Sequence, residues 1–418
     1  MTVAYIFSRY PLLSETFILR EMWQLERQGH RLLICPLRRV PGRHHVRVEQ
    51  MRAPVFWAPW FPWRAHAYWL RRRPRVYLAT LAETLWRNRG DARLWLGALV
   101  YWGKAVAIAR HVQAQGVTHV HAHYITHPAL TAYVVRRLTG IPYTCTVHAH
   151  DIFCHRAMLP EKLRAAQAVV AISEFNRAWL ERAVGLPRSP IPVVHCGIEW
   201  ANYASLASER GSLRSAPRDA GPPGTRALRL LTVGSLQAYK GHRYLIDACA
   251  RLRTSGVVFV CRIVGGGRLY PRLQRQILRL QLGACVNLDG AAVESEVMAA
   301  LAWADVFVLP SICMPNGKTE GVPVALMEAM ASGLPVVASR LSGIPELVVH
   351  NRNGLLVPAG DAAALAAAIA RLQDPDLRRR LGENGSADVH AGFDLATNAA
   401  RLAQVWAEVA PISAEVAA

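Results

Sequence analysis

The stretch Glu320-Gly321-Val322-Pro323-Val324-Ala325-Leu326-Met327-Glu328, continuing as Ala329-Met330-Ala331-Ser332-Gly333-Leu334-Pro335-Val336-Val337-Ala338, decides how this chain is read. An apolar run at Val306 to Leu309 precedes it and another at Val336 to Ala338 closes it. The segment therefore reads as strand, loop, short helix, turn and strand. Pro323 suits an early helix position, where a missing N–H is harmless, and Gly333-Leu334-Pro335 is a helix exit. Glu320 stands just before the helix, and the amides of Gly321, Val322 and Val324 are placed to receive an anion or a hydroxyl. Glu328 follows about two turns later. Two carboxylates so spaced can grip two polyol parts of one ligand while the amides between them hold its phosphate. An isolated pair would more simply be a cap and a solvated side chain, but the proline and the Gly-Leu-Pro exit are independent matches.

Working outward, strand-like Leu228 to Val233, Val257 to Val264, Val286 to Leu288, Val306 to Leu309 and Val336 to Ala338 alternate with helical Gly241 to Arg253, Tyr270 to Leu280, Glu294 to Ala302 and Val324 to Ala331. The first half repeats the pattern, with strands at Val3 to Phe7, Arg31 to Pro36, Val117 to Ala122, Tyr143 to His148, Ala168 to Ile172 and Val193 to Gly197. Such alternation signals parallel sheets wrapped by helices, an α/β class with ligands at the strand C-termini. Between Ala204 and Ala227 the composition turns to Ser, Arg, Gly and Pro, which reads as a linker without regular structure. The expected organisation is a Rossmann-like domain over 1–203, the linker over 204–227, a second Rossmann-like domain over 228–392, and a C-terminal helix over 393–418 crossing back to the first domain.

Three further elements lie at strand ends. Leu231-Thr232-Val233-Gly234-Ser235-Leu236 is followed by Lys240-Gly241, a strand-to-helix turn whose lysine can meet phosphate charge, although a lone Lys before Gly is ordinarily surface. Gly265 begins a glycine run after another strand, compatible with a close ligand or with a tight turn. Thr146-Val147-His148-Ala149-His150-Asp151 ends a strand of the first half.

With these residues in view, the Glu320 to Glu328 string resembles the E-x7-E signature of the large family of retaining glycosyltransferases that includes sucrose-phosphate, mannosyl and lipopolysaccharide-core transferases. Within it the chain is most similar to the colanic acid and exopolysaccharide branch. Ser8-Arg9-Tyr10-Pro11-Leu12-Leu13-Ser14-Glu15-Thr16-Phe17-Ile18 resembles that branch's opening loop, and Thr118-His119-Val120-His121-Ala122-His123-Tyr124 its third-strand motif. The resemblance implies the GT-B fold, two Rossmann-like domains facing across a cleft. It implies a hexosyltransferase that moves a hexose from a nucleotide-diphosphate sugar to a saccharide acceptor, with retention. No cofactor and no metal are expected, the nucleotide sugar being substrate. Glu328 would hold the donor ribose, Glu320 the transferred sugar and Lys240 the diphosphate, with Gly234, Ser235, Gly265, Gly321, Val322, Pro323 and Val324 completing the donor site. His148, with Glu320, would act at the reaction centre, and Glu15, Thr16 and Asp151 would lie on the acceptor side. Ser235 departs from the pattern: many relatives have a phosphate-binding Arg there, and a hydroxyl supplies no charge.

Bulk properties frame these expectations. A chain of 418 residues with 52% hydrophobic content can fill two cores. Eight scattered cysteines without a CxxC pair read as reduced thiols of a cytoplasmic protein, and the N-terminus lacks a signal-peptide pattern. The net charge of +20 concentrates between Arg52 and Arg110, where Trp57, Trp60, Trp63, Trp69, Trp86, Trp95 and Trp102 alternate with Arg64, Arg71, Arg72, Arg73, Arg75, Arg87 and Arg93. That mixture suits the anionic inner face of the cytoplasmic membrane, hence peripheral association and a lipid-linked acceptor, although a basic surface with no local purpose reads the same way. No helix-turn-helix, zinc-finger or RNP pattern accompanies the charge, so nucleic acid is not an expected partner. The alternating His119, His121 and His123 with His148 and His150 are also compatible with a metal cluster, against which stands the lack of an Asp-x-Asp motif. A nucleotide-sugar epimerase, or a non-catalytic assembly partner at the membrane, are the alternatives on the same architecture.

Overall fold

A computed structural model describes residues 1–11, 16–41, 45–90, 92–154, 157–184, 191–213 and 226–409. The chain forms two compact units: Met1–His195 together with the C-terminal segment from Ala396, and Cys196–Leu395.

The first unit is a five-stranded parallel sheet in the order β2-β1-β3-β4-β5, with β1 at Thr2–Tyr10, β2 at Arg31–Arg39, β3 at His119–His123, β4 at Tyr143–Val147 and β5 at Ala168–Ala171. β3 and β4 are buried along their whole length, as a sheet covered on both faces requires. The connection reverses direction between β1 and β3, where Ile6 pairs with Ala122. Helix Leu395–Val409 closes one face: Trp406 is fully buried against Tyr5, His119 and His121.

The second unit is a six-stranded parallel sheet in the order β11-β10-β9-β6-β7-β8, with β6 at Leu228–Val233, β7 at Phe259–Val264, β8 at Val286–Gly290, β9 at Val306–Leu309, β10 at Val336–Ser339 and β11 at Leu355–Val357. Its switch lies between β6 and β9, where Leu231 pairs with Phe307. Strand C-termini at such a switch frame a crevice, which fixes where this unit binds ligand.

Three expectations are corrected. The first unit ends at His195 rather than at Tyr203, because Ile198 bridges Asp394 and the next helix packs within the second unit. Residues 204–213, read as linker, belong to helix Trp200–Leu213; its apolar side, with Tyr203 and Leu206 buried, outweighs the Ser and Gly content. Residues 214–225 lie outside the described part. Val193–Gly197 is no strand: Val193 makes an isolated bridge to Ala171.

The Trp/Arg-rich segment folds as helices Trp63–Arg72, Pro74–Asn88 and Ala92–Ala114 on the first sheet. Trp69 and Trp102 point inward, each indole N–H bonded at 3.2 Å, to the Val106 carbonyl and the Tyr77 hydroxyl. Trp60, Phe61, Trp63 and Trp86 point outward, Phe61 with 90% of its surface exposed, and Arg64 and Arg89 lie over the Trp63 and Trp86 rings. Among the described residues no helix is long and apolar enough to cross a membrane.

Candidate active site

In the second unit the site begins where β6 runs out. Gly234 N–H donates to the Val264 carbonyl and Leu236 N–H to the Gly266 carbonyl, both at 2.9 Å, so the loop stays stitched to the end of β7. A Cβ at Gly265 would lie 1.9 Å from the Gly234 carbonyl oxygen, which leaves glycine as the residue that fits. The turn Ala238–Lys240 then passes through Gly241, at φ 71°, into helix His242–Thr254. A Cβ there would sit 1.8 Å from the Pro310 carbonyl oxygen, so Gly241 lets the Lys240 loop close onto the end of β9.

That approach creates a buried ion pair. Lys240 Nζ lies 2.8 Å from Glu320 Oε1, and Ser311 Oγ donates to the same oxygen at 2.8 Å. Burial opposes the lysine's charge, but the Glu320 carboxylate and Tyr239 outweigh it and hold the Lys240 pKa above its ordinary value. Ser342 Oγ fixes the Glu320 carbonyl at 2.7 Å. Glu328 lies in helix Val324–Ala331, and Tyr203 donates to its Oε1 at 3.0 Å. The first intrahelical bond is Leu326 N–H to the Pro323 carbonyl, so the amides of Gly321, Val322 and Val324 stand before the bonded turns.

Ser235, the uncharged departure, accepts from Gln237 Nε2 at 3.2 Å, and Gln237 Oε1 in turn accepts from Lys318 Nζ at 2.7 Å. A second cation therefore stands two hydrogen bonds from this position. His242 approaches the Ser235 carbonyl with Nε2 at 3.3 Å; burial lowers its pKa to about 4, so it is neutral.

In the first unit His148 follows β4 directly and is buried, with 6% of its surface exposed, between Phe17, Tyr124 and His123. Its Nε2 lies 3.2 Å from His123 Nδ1, and His123 Nε2 lies 2.9 Å from Glu21 Oε1, which also accepts from the Tyr5 hydroxyl at 2.9 Å. The same strand carries His121, whose Nδ1 receives the Trp406 indole N–H at 3.3 Å and whose Nε2 meets Thr146 Oγ1 at 3.1 Å. An indole N–H can only donate, so Nδ1 is the acceptor and Nε2 bears the proton of His121. Burial drives the pKa of His121 and His148 well below the ordinary imidazole value, and that of His119 to about 4, so these three rings are neutral.

Asp151, expected on the acceptor side, is buried just past the end of β4. Its Oδ1 accepts from His148 N–H at 2.8 Å and its Oδ2 from Ile125 N–H at 2.5 Å, which ties the exits of β3 and β4 together. Burial raises its pKa to about 7 against the pull of those amides. Thr16 opens helix Thr16–Arg27 and is half-buried, whereas Glu15 and the side chain of His150 lie outside the described part. Glu21, His121 and His123 each bring one ligand atom within 4.8 Å of the others, but each of these side chains already has a hydrogen-bond partner in the protein.

Comparison with known proteins identifies the family. Residues 227–374 match the family of glycosyl transferases group 1, and residues 87–201 match Glycosyltransferase Family 4. Over 395 residues the chain is 30% identical to the putative colanic acid biosynthesis glycosyltransferase WcaL of Salmonella typhimurium, covering 90% of this chain and 91% of that protein. The chain belongs to the glycosyl transferases group 1 family. It is also 40% identical over 231 residues to the amylovoran biosynthesis glycosyltransferase AmsK of Erwinia amylovora, about half of each chain (54% and 53%). The crystal structure of Anabaena Alr3699/HepE in complex with UDP superposes with a TM-score of 0.73 at 18% identity, over 98% of this chain and 100% of that one. At such low identity the likeness speaks to the fold, GT-B with two Rossmann-like domains.

As a group 1 glycosyltransferase the chain brings two of its expected donor residues, Lys240 and Glu320, into contact. Sequence reasoning does not single out Ser311, Tyr203, Lys318 or Glu21. Ser311 lies just past β9, Lys318 in the loop before Glu320, and Tyr203 and Glu21 on helices.

Proposed function

We propose that this enzyme transfers a hexose from a nucleotide-diphosphate sugar to a saccharide acceptor, lipid-linked, in exopolysaccharide synthesis. The reaction proceeds with retention of anomeric configuration and without a metal. The observation that carries this is the Lys240 and Glu320 pair at the switch point of the second sheet. An ammonium held charged beside helix-start amides matches a departing diphosphate, and such preorganised charge supplies much of the rate in group transfer. Glu320, fixed by Ser311, is oriented to accept from sugar hydroxyls, and Glu328, fixed by Tyr203, from the ribose. With the leaving phosphate stabilised on one side, it can itself take the acceptor's proton on that same face, the stereochemistry that gives retention. The names of the WcaL and AmsK relatives support a role in exopolysaccharide assembly.

The exposed Trp60, Phe61, Trp63 and Trp86 among arginines support attachment to the anionic inner face of the cytoplasmic membrane, where a lipid-linked acceptor resides. The deciding experiment is a thermal-shift series with UDP-glucose, UDP-galactose, GDP-mannose and GDP-fucose, repeated with Glu328→Ala. One nucleotide sugar should stabilise the wild type and lose its effect in the variant, and product analysis should show glycoside rather than an epimerised donor. A chain that no nucleotide sugar stabilises, or that converts donor without acceptor, is not this enzyme.

A further inference from the structure

The proposed reaction gives Glu21, half-buried at the far end of a histidine pair, a task that its position on helix Thr16–Arg27 does not announce. Starting from Tyr5, each link in the line of polar groups has one permitted direction. The Tyr5 hydroxyl and His123 Nε2 converge on Glu21 Oε1, both at 2.9 Å. An ionised carboxylate only accepts, so Nε2 of His123 carries a proton, and in a neutral ring Nδ1 then carries the lone pair. His123 Nδ1 then has to receive a proton from His148 Nε2, 3.2 Å away. The two imidazoles lie within 30° of parallel with centroids 5.5 Å apart, a nitrogen-to-nitrogen, end-to-end contact rather than a face-to-face stack. The remaining nitrogen of His148, Nδ1, is left as an unprotonated acceptor, and among the described residues no protein group bonds to it.

We propose that Glu21, acting through His123, is a positioning residue that holds His148 in the Nε2–H tautomer and so presents its Nδ1 lone pair to a substrate hydroxyl. This rests on the reading that His148 belongs to the reaction centre. A lone imidazole in water divides between both tautomers, and the wrong one would offer a hydrogen where the hydroxyl's own hydrogen must go. Asp151 completes the device by gripping the His148 backbone N–H, so the ring is held in place from the main chain and in tautomer from the opposite side. Second-layer partners of this kind typically change function about 10- to 100-fold when removed.

The test is nitrogen-15 NMR of the full chain labelled in its imidazole rings, together with turnover of the nucleotide sugar identified by the thermal-shift series. Wild-type His123 and His148 should both give the Nε2–H signature. Glu21→Gln, whose amide can donate to His123 and reverse the line, should move His148 toward Nδ1–H. It should also lower kcat about 10- to 100-fold while leaving the donor KM within about twofold. His123→Asn, which cuts the link, should do the same. A wild-type His148 in the Nδ1–H form overturns the inference even if neither variant folds, and so do variants that fold and leave both tautomer and kcat unaltered. His148→Ala separates the two layers: full activity there sinks the reaction-centre reading, whereas inactivity there with fully active Glu21 and His123 variants sinks the positioning role alone.

Discussion

Lys240 Nζ and Glu320 Oε1 lie 2.8 Å apart although they come from the loops that follow different strands, β6 and β9, that meet at the switch of the second sheet. Removing one partner strands the other's charge in a site where the Glu320 side chain is only 7% exposed. Lys240→Met should therefore cost about 3 kcal/mol of stability, read from urea unfolding, and abolish the donor-induced thermal shift. A double variant, Lys240→Met with Glu320→Gln, should regain much of the stability and none of the donor response.

Tyr203 matters through Glu328. Tyr203→Phe removes the 3.0 Å hydrogen bond that orients the carboxylate, and a bond to a charged group is worth about 1.5 kcal/mol or more. Donor affinity measured by calorimetry should fall about tenfold, less than for Glu328→Ala.

Gly241→Ala should be among the most damaging single-methyl changes in the chain. The new Cβ would meet the Pro310 carbonyl oxygen at a backbone φ of 71°, so strain and overlap act together. The expected result is a loss of at least about 3 kcal/mol, seen as a lower denaturation midpoint, with the donor response gone as the Lys240 loop moves off β9.

Acid should destabilise the protein through its buried imidazoles. His119, His121, His148 and His242 all have pKa values lowered by burial, to about 4 for His119 and His242. Below the unfolded histidine value of about 6.5 the unfolded chain takes up protons that the folded one refuses, so their stability contribution is complete above that pH and is lost as pH falls toward 4. Each group contributes a slope of about 1.4 kcal/mol per pH unit in that window. Asp151, raised to about 7, works with the opposite sign: its contribution is complete below the unfolded carboxylate value and is lost as pH rises through 7. Four slopes exceed one, so unfolding free energies should fall between pH 6.5 and 4.5, and His242→Asn should flatten the fall by about one proton.

The outward aromatics should be silent in stability and decisive at a lipid surface. Replacing Trp60, Phe61, Trp63 and Trp86 with Ser should move the unfolding midpoint little, because they are exposed. Co-sedimentation with vesicles containing phosphatidylglycerol should drop sharply, and wild-type binding should weaken with salt. Equal binding by both proteins would remove the membrane role of this surface.

The fold is legible because parallel strands covered on both faces are continuous apolar runs, and ten of the observed strands coincide with runs visible in the sequence. Leu355–Val357 escapes because three residues carry no period. Val193 to Gly197 has the same apolar look, but only Val193 finds a partner strand. Helix Trp200–Leu213 is hidden by local propensity that tertiary burial of Tyr203 and Leu206 overrides. Within the site, Lys240, Glu320 and Glu328 sit inside local motifs and can be found by spacing. Tyr203, Lys318 and Glu21 cannot, since each acts on a residue distant in sequence. Asp151 is legible as a residue worth noticing, but its hold on the Ile125 and His148 amides is not, because backbone partners leave no mark in the sequence.

Trp406 seals the histidine face of a sheet whose first strand starts at Thr2. The polypeptide emerging from the ribosome must therefore deliver the whole of Cys196–Leu395 before its opening unit can be capped. Until then Tyr5 and His121 lack their cover, and a messenger cut short just after Leu395 would yield a finished second half tethered to an unsealed first half, a natural target for chaperones and proteases.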